Sequence, residues 1–345
     1  MPTTSTPTSS ITPGVSRSRT RTALQVFGFA LGLAALAYCI YLVVSNPTYL
    51  QQLARLGAAP AWLLAALFAL SAAATATSAM VFRATLKPVR IITIADGLAI
   101  NAFCTLLGNV PFKLSLIARI VLHKTRHHLA LGTILSWLAG TALVIVISLA
   151  PALAATLWIR EVNAGWWVMT VAGTISLGVV CVLLARRFAP AERWASFTHS
   201  LPAPLERLAH IPFAIKLQHG LRTVASPWAM AEALCWRGMD LAAQVIRFWL
   251  VAQALGVEMT WAQCMIAATT YFFIQSASPT GALGAREGLT AAILTAAGAH
   301  AITVVLAVSV VESITNIFLG VAGGAYLRVD RLLLSRNQPL PRGDG

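Results

Sequence analysis

The feature that most limits what this chain can fold into is a series of apolar runs, each about 20 residues or longer. A run of that length crosses the ~30 Å hydrocarbon layer of a bilayer as a helix. Six segments meet the requirement: Ala23–Ser45, Pro60–Phe82, His128–Ala150, Ala164–Ala185, Pro227–Leu255 and Ala301–Tyr326. Composition agrees, with 58% hydrophobic and only 10% charged residues, where a soluble domain carries about a quarter charged residues. The expected fold class is therefore an all-α polytopic membrane protein.

Two further regions are apolar but interrupted. Ile91–Leu122 is broken by Asp96, Asn101, Asn109 and Pro111, and Trp261–Ala299 by the peptide Ser278–Gly288. Basic residues then set the sidedness, because cytoplasmic flanks collect Lys and Arg. They cluster near the N-terminus, at Arg83/Lys87/Arg90, at Arg119/Lys124/Arg126, between Arg186 and Arg222, and after Arg328. The stretches around Arg55, Arg160–Glu161 and Glu258 are poor in positive charge. With the basic group cytoplasmic, the first broken region starts and ends inside and the second starts and ends outside. Each then reads as a re-entrant or broken helical hairpin, one from each face. About six full spans and two such hairpins make an inverted repeat, with halves near 23–150 and 164–327. Such repeats hold their substrate near the midplane. The rest of the chain reads as a disordered basic cytoplasmic tail at 1–22, an uncleaved first helix, and a cytoplasmic C-terminal tail at 328–345. Between Arg186 and Ser226, Leu205, Leu208, Ile211 and Ile215 with Arg207, Lys216 and Arg222 suit a basic amphipathic surface helix.

The polar residues within these apolar runs are the candidate site. Irregular backbone survives at membrane depth only where protein buries it or a polar cavity wets it, and intramembrane charge points to a substrate or ion path. Pro279, Gly281 and Gly284 break the second hairpin, and Arg286–Glu287 follows at once. In the fifth span Arg237, Asp240, Gln244 and Arg247 recur at spacings of three, four and three, on one helix face. That stripe reads equally as an anion-attracting wall or as an internal ion pair with one snorkelling arginine. Glu312 and Asn316 in the last span call for partners; Arg286 or Arg237 is a candidate for Glu312. Asn101, Pro111, Lys113 and Arg119 occupy the equivalent part of the first hairpin, with Lys113 and Arg119 also readable as cytoplasmic anchors. His123, His127 and His128 read as solvated histidines, and Trp166–Trp167 as an interfacial belt.

Several function classes fall away. The five cysteines are scattered, without CxxC or metal spacing, so they read as buried thiols and no disulfide framework, metal or other cofactor is expected. The pI near 10.6 comes without a soluble basic domain or aromatic platform, which argues against nucleic acid. Phosphate-loop, GxSxG and HExxH motifs are missing, so the chain is not expected to be an enzyme.

Pro279-Thr280-Gly281-Ala282-Leu283-Gly284-Ala285-Arg286-Glu287-Gly288 resembles the P-x-G-G-L-G-x-R-E signature of the lysylphosphatidylglycerol synthase transmembrane region, or flippase-like integral membrane proteins. The resemblance covers about Ala23 to Leu327. In the first half the family pattern P-G-R-x-G-E-x-x-R corresponds to Pro111 through Arg119. Pro111, the basic Lys113 and Arg119 are kept, while Gly-Glu becomes Ser115-Leu116. The resemblance implies a bacterial inner-membrane domain that moves or binds lipids between leaflets, with membrane lipids of anionic headgroup as partners. Members fused to a soluble domain transfer an aminoacyl group; little more than a polar tail follows Tyr326 here, so that chemistry is not expected of this chain alone. Two alternatives remain open. One is an accessory subunit or transferase working with an envelope- or hopanoid-biosynthesis enzyme, and the other an ion-coupled small-solute transporter.

Overall fold

A computed structural model describes residue 30, residues 33–34 and residues 36–109, 114–199, 224–277 and 284–329. Within them the chain is all helical, without a strand. The first run is seen as α1, Leu36–Ser45. A short α2, Pro47–Gly57, follows, then α3 (Ala61–Leu86), α4 (Ile94–Gly108), α5 (Leu114–Arg126), α6 (Leu131–Ile159), α7 (Ala164–Phe188) and α8 (Ala191–His199). The second half holds α9 (Pro227–Leu255), α10 (Trp261–Ala277), α11 (Ala285–Ala296) and α12 (Ile302–Leu327).

Among the described residues four helices, α3, α6, α7 and α12, are long and apolar enough to cross a membrane. The sequence led us to expect six. The first expected span lies partly outside the described residues. α9 has the length, 29 residues, but its polar stripe lowers its apolarity. α6 also runs nine residues beyond the expected end, because Pro151 sits inside the helix and does not stop it. α2 was not anticipated; its cap Asn46 accepts from the Thr48 amide at 3.0 Å, and Gln52 accepts from Thr303 at 2.7 Å, which ties α2 to the start of α12.

Each interrupted region is a pair of short helices packed together. α4 and α5, of 15 and 13 residues, would rise only ~22 and ~20 Å, less than a full crossing. They run antiparallel: Asp96 at the start of α4 binds Arg126 at the end of α5 at 2.7 Å. α10 and α11 are likewise antiparallel, with the Gln263 amide donating to the Ala297 carbonyl at 3.2 Å. α3 and α9 lie side by side in opposite directions, since Lys87 at the end of α3 pairs with Glu232 near the start of α9. α4 continues from the end of α3 and α10 from the end of α9, so the two hairpins begin at opposite ends of the bundle.

Local signals account for most helix ends. Ser226 caps α9 with Pro227 at its first position, and Gly256 at φ 67° closes it in the left-handed region that suits glycine. Small residues then set the spacing between helices. A Cβ on Gly323 would lie 2.6 Å from the Ala99 carbonyl oxygen, so α12 meets α4 almost backbone to backbone. The largest apolar cluster joins Leu67, Phe248, Leu255, Ile266, Val304 and Val308. It fills the end of the bundle at which α9 stops and α12 starts.

Candidate functional site

Beneath that cluster lies a cavity of about 390 Å³, lined by α3, α4, α5, α6, α9, α10 and α12. It reaches from Gly108, Ser115 and Leu116 at the α4–α5 break to Ser71, Arg247 and Glu312 under the apolar cluster. On α9 the lining runs from Arg237 to Arg247, ten residues or ~15 Å of helix. A volume of this size is at the lower end of ligand pockets.

The predicted stripe on α9 lines this cavity whole and contains the expected internal ion pair, without the snorkelling arginine. Asp240 binds only Arg237, its neighbour one turn away, and accepts from the Gln244 amide at 3.3 Å. Arg247 turns instead to Glu312, at 2.8 Å, and donates to the Ser71 hydroxyl at 3.1 Å. Neither arginine snorkels: both are 1% exposed. Arg237 sits over the Phe272 ring, its Cζ 3.4 Å from the centroid, which replaces part of the lost hydration through the ring's negative face.

Glu312 is the junction of the site. Its Oε2 takes Arg247, and its Oε1 takes Arg286 at 3.2 Å and the Gln275 amide at 3.4 Å. Arg286 holds Glu287 Oε1 with its Nε at 3.0 Å and Nη2 at 2.8 Å, and Nη2 also donates to Ser309 at 2.9 Å. Ser309 in turn donates to Glu287 at 2.5 Å. The guanidinium stands 4.2 Å over Tyr271. Glu287 Oε2 accepts the Gly284 amide at 2.6 Å. Gly284 has φ 84°, a conformation open to glycine and strained for other residues. The signature thus does two things locally: glycine lets the chain turn sharply into α11, and the glutamate closes back on that turn as half of a capping box. Arg286 and Glu287 are both fully buried, and Glu312 carries their charge to the cavity wall.

In the first half, Arg119 is buried rather than anchored in the cytoplasm, at 6% exposure. It donates to Asn101 Oδ1 at 2.8 Å and lies 3.8 Å over Phe82. Asn101 in turn donates to the Thr75 carbonyl at 2.9 Å. Asn316 accepts from Thr75 Oγ1 at 3.3 Å, which places it beside the cavity behind α3. Pro279 and Gly281 lie outside the described residues, as do Pro111 and Lys113, the amphipathic stretch from Leu205 to Arg222, and both tails from 1–22 and 330–345.

Three smaller readings need correction. His123 is buried, against the Trp137 ring at 4.8 Å and the His127 ring at 5.2 Å. Burial, with Arg119 and His127 nearby, lowers its pKa to about 3; desolvation also lowers that of His127. Of the expected aromatic belt, only Trp167 is exposed; Trp166 is buried in the fold and donates to Thr156 at 2.9 Å. Cys235 is exposed rather than buried. Sequence reasoning also missed Ser71, Tyr271, Gln275, Ser309 and the two phenylalanines. Ser309 could have been found, since it sits three residues before Glu312 on the same helix face. Phe82 and Phe272 carried no signal among so many apolar neighbours. Among the described residues no group of His, Cys, Asp and Glu is arranged to hold a metal.

A buried arginine–glutamate pair directly after a glycine-opened turn is what the Gly284–Glu287 peptide builds. Residues 25–323 match the family model of the lysylphosphatidylglycerol synthase TM region. The chain belongs to this family. Its membership makes it an integral membrane protein of lipid or envelope biosynthesis. No curated protein and no solved structure matched. In this member of the lysylphosphatidylglycerol synthase TM family, Gly284, Arg286 and Glu287 build one end of the network that Glu312 continues, and Ser115, Leu116 and Arg119 of the first half line the cavity.

Proposed function

We propose that this protein moves a phospholipid headgroup between the leaflets of a bacterial inner membrane, without chemistry of its own. One observation supports the reading most: a polar, charged cavity runs from one interrupted hairpin to the network of the other, inside a bundle otherwise made of apolar helices. Charge at that depth is costly, several kcal/mol per residue in translocon terms. Such a set is kept where a polar substrate passes.

In this reading the hairpins α4–α5 and α10–α11 are re-entrant elements from opposite faces, and the halves form an inverted repeat. Both termini are cytoplasmic. The headgroup enters the cavity while its acyl chains stay in lipid. The apolar cluster around Leu255 and Val304 closes the far end in the state described here, and rocking of one hairpin would open it. Arg286 and Glu287 act through Glu312, tying the far hairpin to the wall that meets the headgroup.

The test is lipid movement in liposomes. A fluorescent phospholipid placed in both leaflets is quenched from outside, and a translocating protein exposes the inner-leaflet pool. Arg286→Ala and Glu287→Ala should slow that exposure markedly while the protein stays monodisperse; unchanged rates would remove both residues from the mechanism.

A further inference from the structure

The far end of the cavity carries a cover. Above the polar wall stands an apolar plug, with Leu67, Phe248, Val304 and Val308 fully buried in it. Leu67 lies one turn above Ser71, whose hydroxyl donates to its carbonyl at 2.9 Å, and Val308 one turn before Glu312. Helix α2 lies across the outside of this plug, against both α9 and α12, and has no buried residue of its own. Leu56 packs against the plug. Gln52 covers the buried Thr303 and accepts from its hydroxyl at 2.7 Å. Arg55 sits over Gly256, where any Cβ would strike the guanidinium. Asn46 and Pro60, which flank α2, are both extended, so the helix hangs between two non-helical joints.

Resting on the headgroup reading above, we infer that α2 is a releasable strap over the far mouth of the cavity. Seated, it holds the end of α9 and the start of α12 together and keeps the plug closed. Lifted, it lets them part. The two helices carry facing groups of the cavity wall, Arg247 and Glu312, so opening the plug between them must first free the element that bridges their ends. Elements with few buried apolar contacts release at the lowest free energy, and α2 is such an element. Among the described residues no ion pair ties it to α9 or α12, and its latch is one neutral hydrogen bond. Release leaves nothing stranded, because water reaches Gln52 and Thr303 as α2 lifts and satisfies both. The joints at Asn46 and Pro60 absorb the movement, as hinges of a few residues do.

A reversible cross-link tests this in the full-length protein. Gln52→Cys with Thr303→Cys puts two thiols where the side chains already meet, and oxidation with copper phenanthroline fixes α2 to α12. Leaflet exposure of the fluorescent lipid should then fall at least about tenfold, because the open minor state is lost. Reduction should restore it, which also shows that the variant is folded, and neither single variant should slow under the same oxidant. Fully cross-linked protein that moves lipid at its reduced rate overturns the inference. Ser78→Cys, added to the pair, reports opening without lipid movement. In right-side-out membrane vesicles an impermeant maleimide should label it at least about tenfold more slowly when the strap is oxidised, with the label assigned by peptide mass spectrometry. Equal labelling in both states overturns the inference whether or not lipid moves. Strap-dependent labelling in a protein that moves no lipid would instead overturn the translocation reading and leave the strap standing.

Discussion

Glu312→Gln isolates the junction between the two halves of the network. Glutamine keeps the shape and an acceptor oxygen but removes the charge. Arg286 retains Glu287 at 2.8 Å, whereas Arg247 retains only the Ser71 hydroxyl at 3.1 Å. One buried guanidinium is then uncompensated, and removing one partner of a buried pair costs about 3–5 kcal/mol. The folded-to-unfolded ratio should fall by roughly two to three and a half powers of ten. Arg247→Gln is milder, because Glu312 keeps Arg286 at 3.2 Å; its loss is about 1.5–3 kcal/mol, that of a charged hydrogen bond. The double variant leaves no stranded charge, since Arg286–Glu287 stays paired. Its loss should therefore fall short of the sum of the singles by about 1–3 kcal/mol. Reversible unfolding by SDS in mixed micelles, followed by circular dichroism, measures all three. Additivity to within about 0.5 kcal/mol would refute the pairing.

Gly323→Ala should destabilise by about 1–3 kcal/mol in the same assay, because its Cβ meets a backbone oxygen at 2.6 Å. Gly238→Ala meets nothing within 4 Å and should be neutral or stabilising by up to about 1 kcal/mol. His123 has a folded-state pKa of about 3, below the unfolded value of 6.5, so the unfolded chain binds its proton first. Its contribution is thus full above about pH 6.5 and is lost as pH falls from there toward about 3. His123→Gln should flatten the stability profile across that window, read by melting temperature between pH 4.5 and 7.5.

The helices were legible wherever apolarity was continuous. Pro227–Leu255 was marked to the residue by Ser226 and Pro227 at one end and Gly256 at the other. The two interruptions were legible as well, because proline, glycine and asparagine stand out in an apolar run. Pairing was not. The three-four-three stripe on α9 placed Arg247 and Asp240 on one face, yet Arg247 bonds to α12, which no spacing within α9 can reveal. Arg119 looked like an anchor because basic residues surround it in sequence; in the fold its guanidinium turns inward onto Phe82 and Asn101. His123 misled for the same reason. Its charged neighbours along the chain point elsewhere, while Trp137, 14 residues on, covers it. α2 was missed because it carries too few apolar residues to register as a span and folds against α9 and α12 instead.

The central claim is that the cavity carries the headgroup, and filling it is the most direct test. Ser78 lines the cavity on α3, and Ala73 on the same helix is exposed on the outer face. In proteoliposomes containing phosphatidylglycerol, Ser78→Trp should abolish leaflet exposure of the fluorescent lipid and Ala73→Trp should leave it at the wild-type rate, with both variants melting cooperatively. Wild-type rates from a folded Ser78→Trp protein would contradict the account.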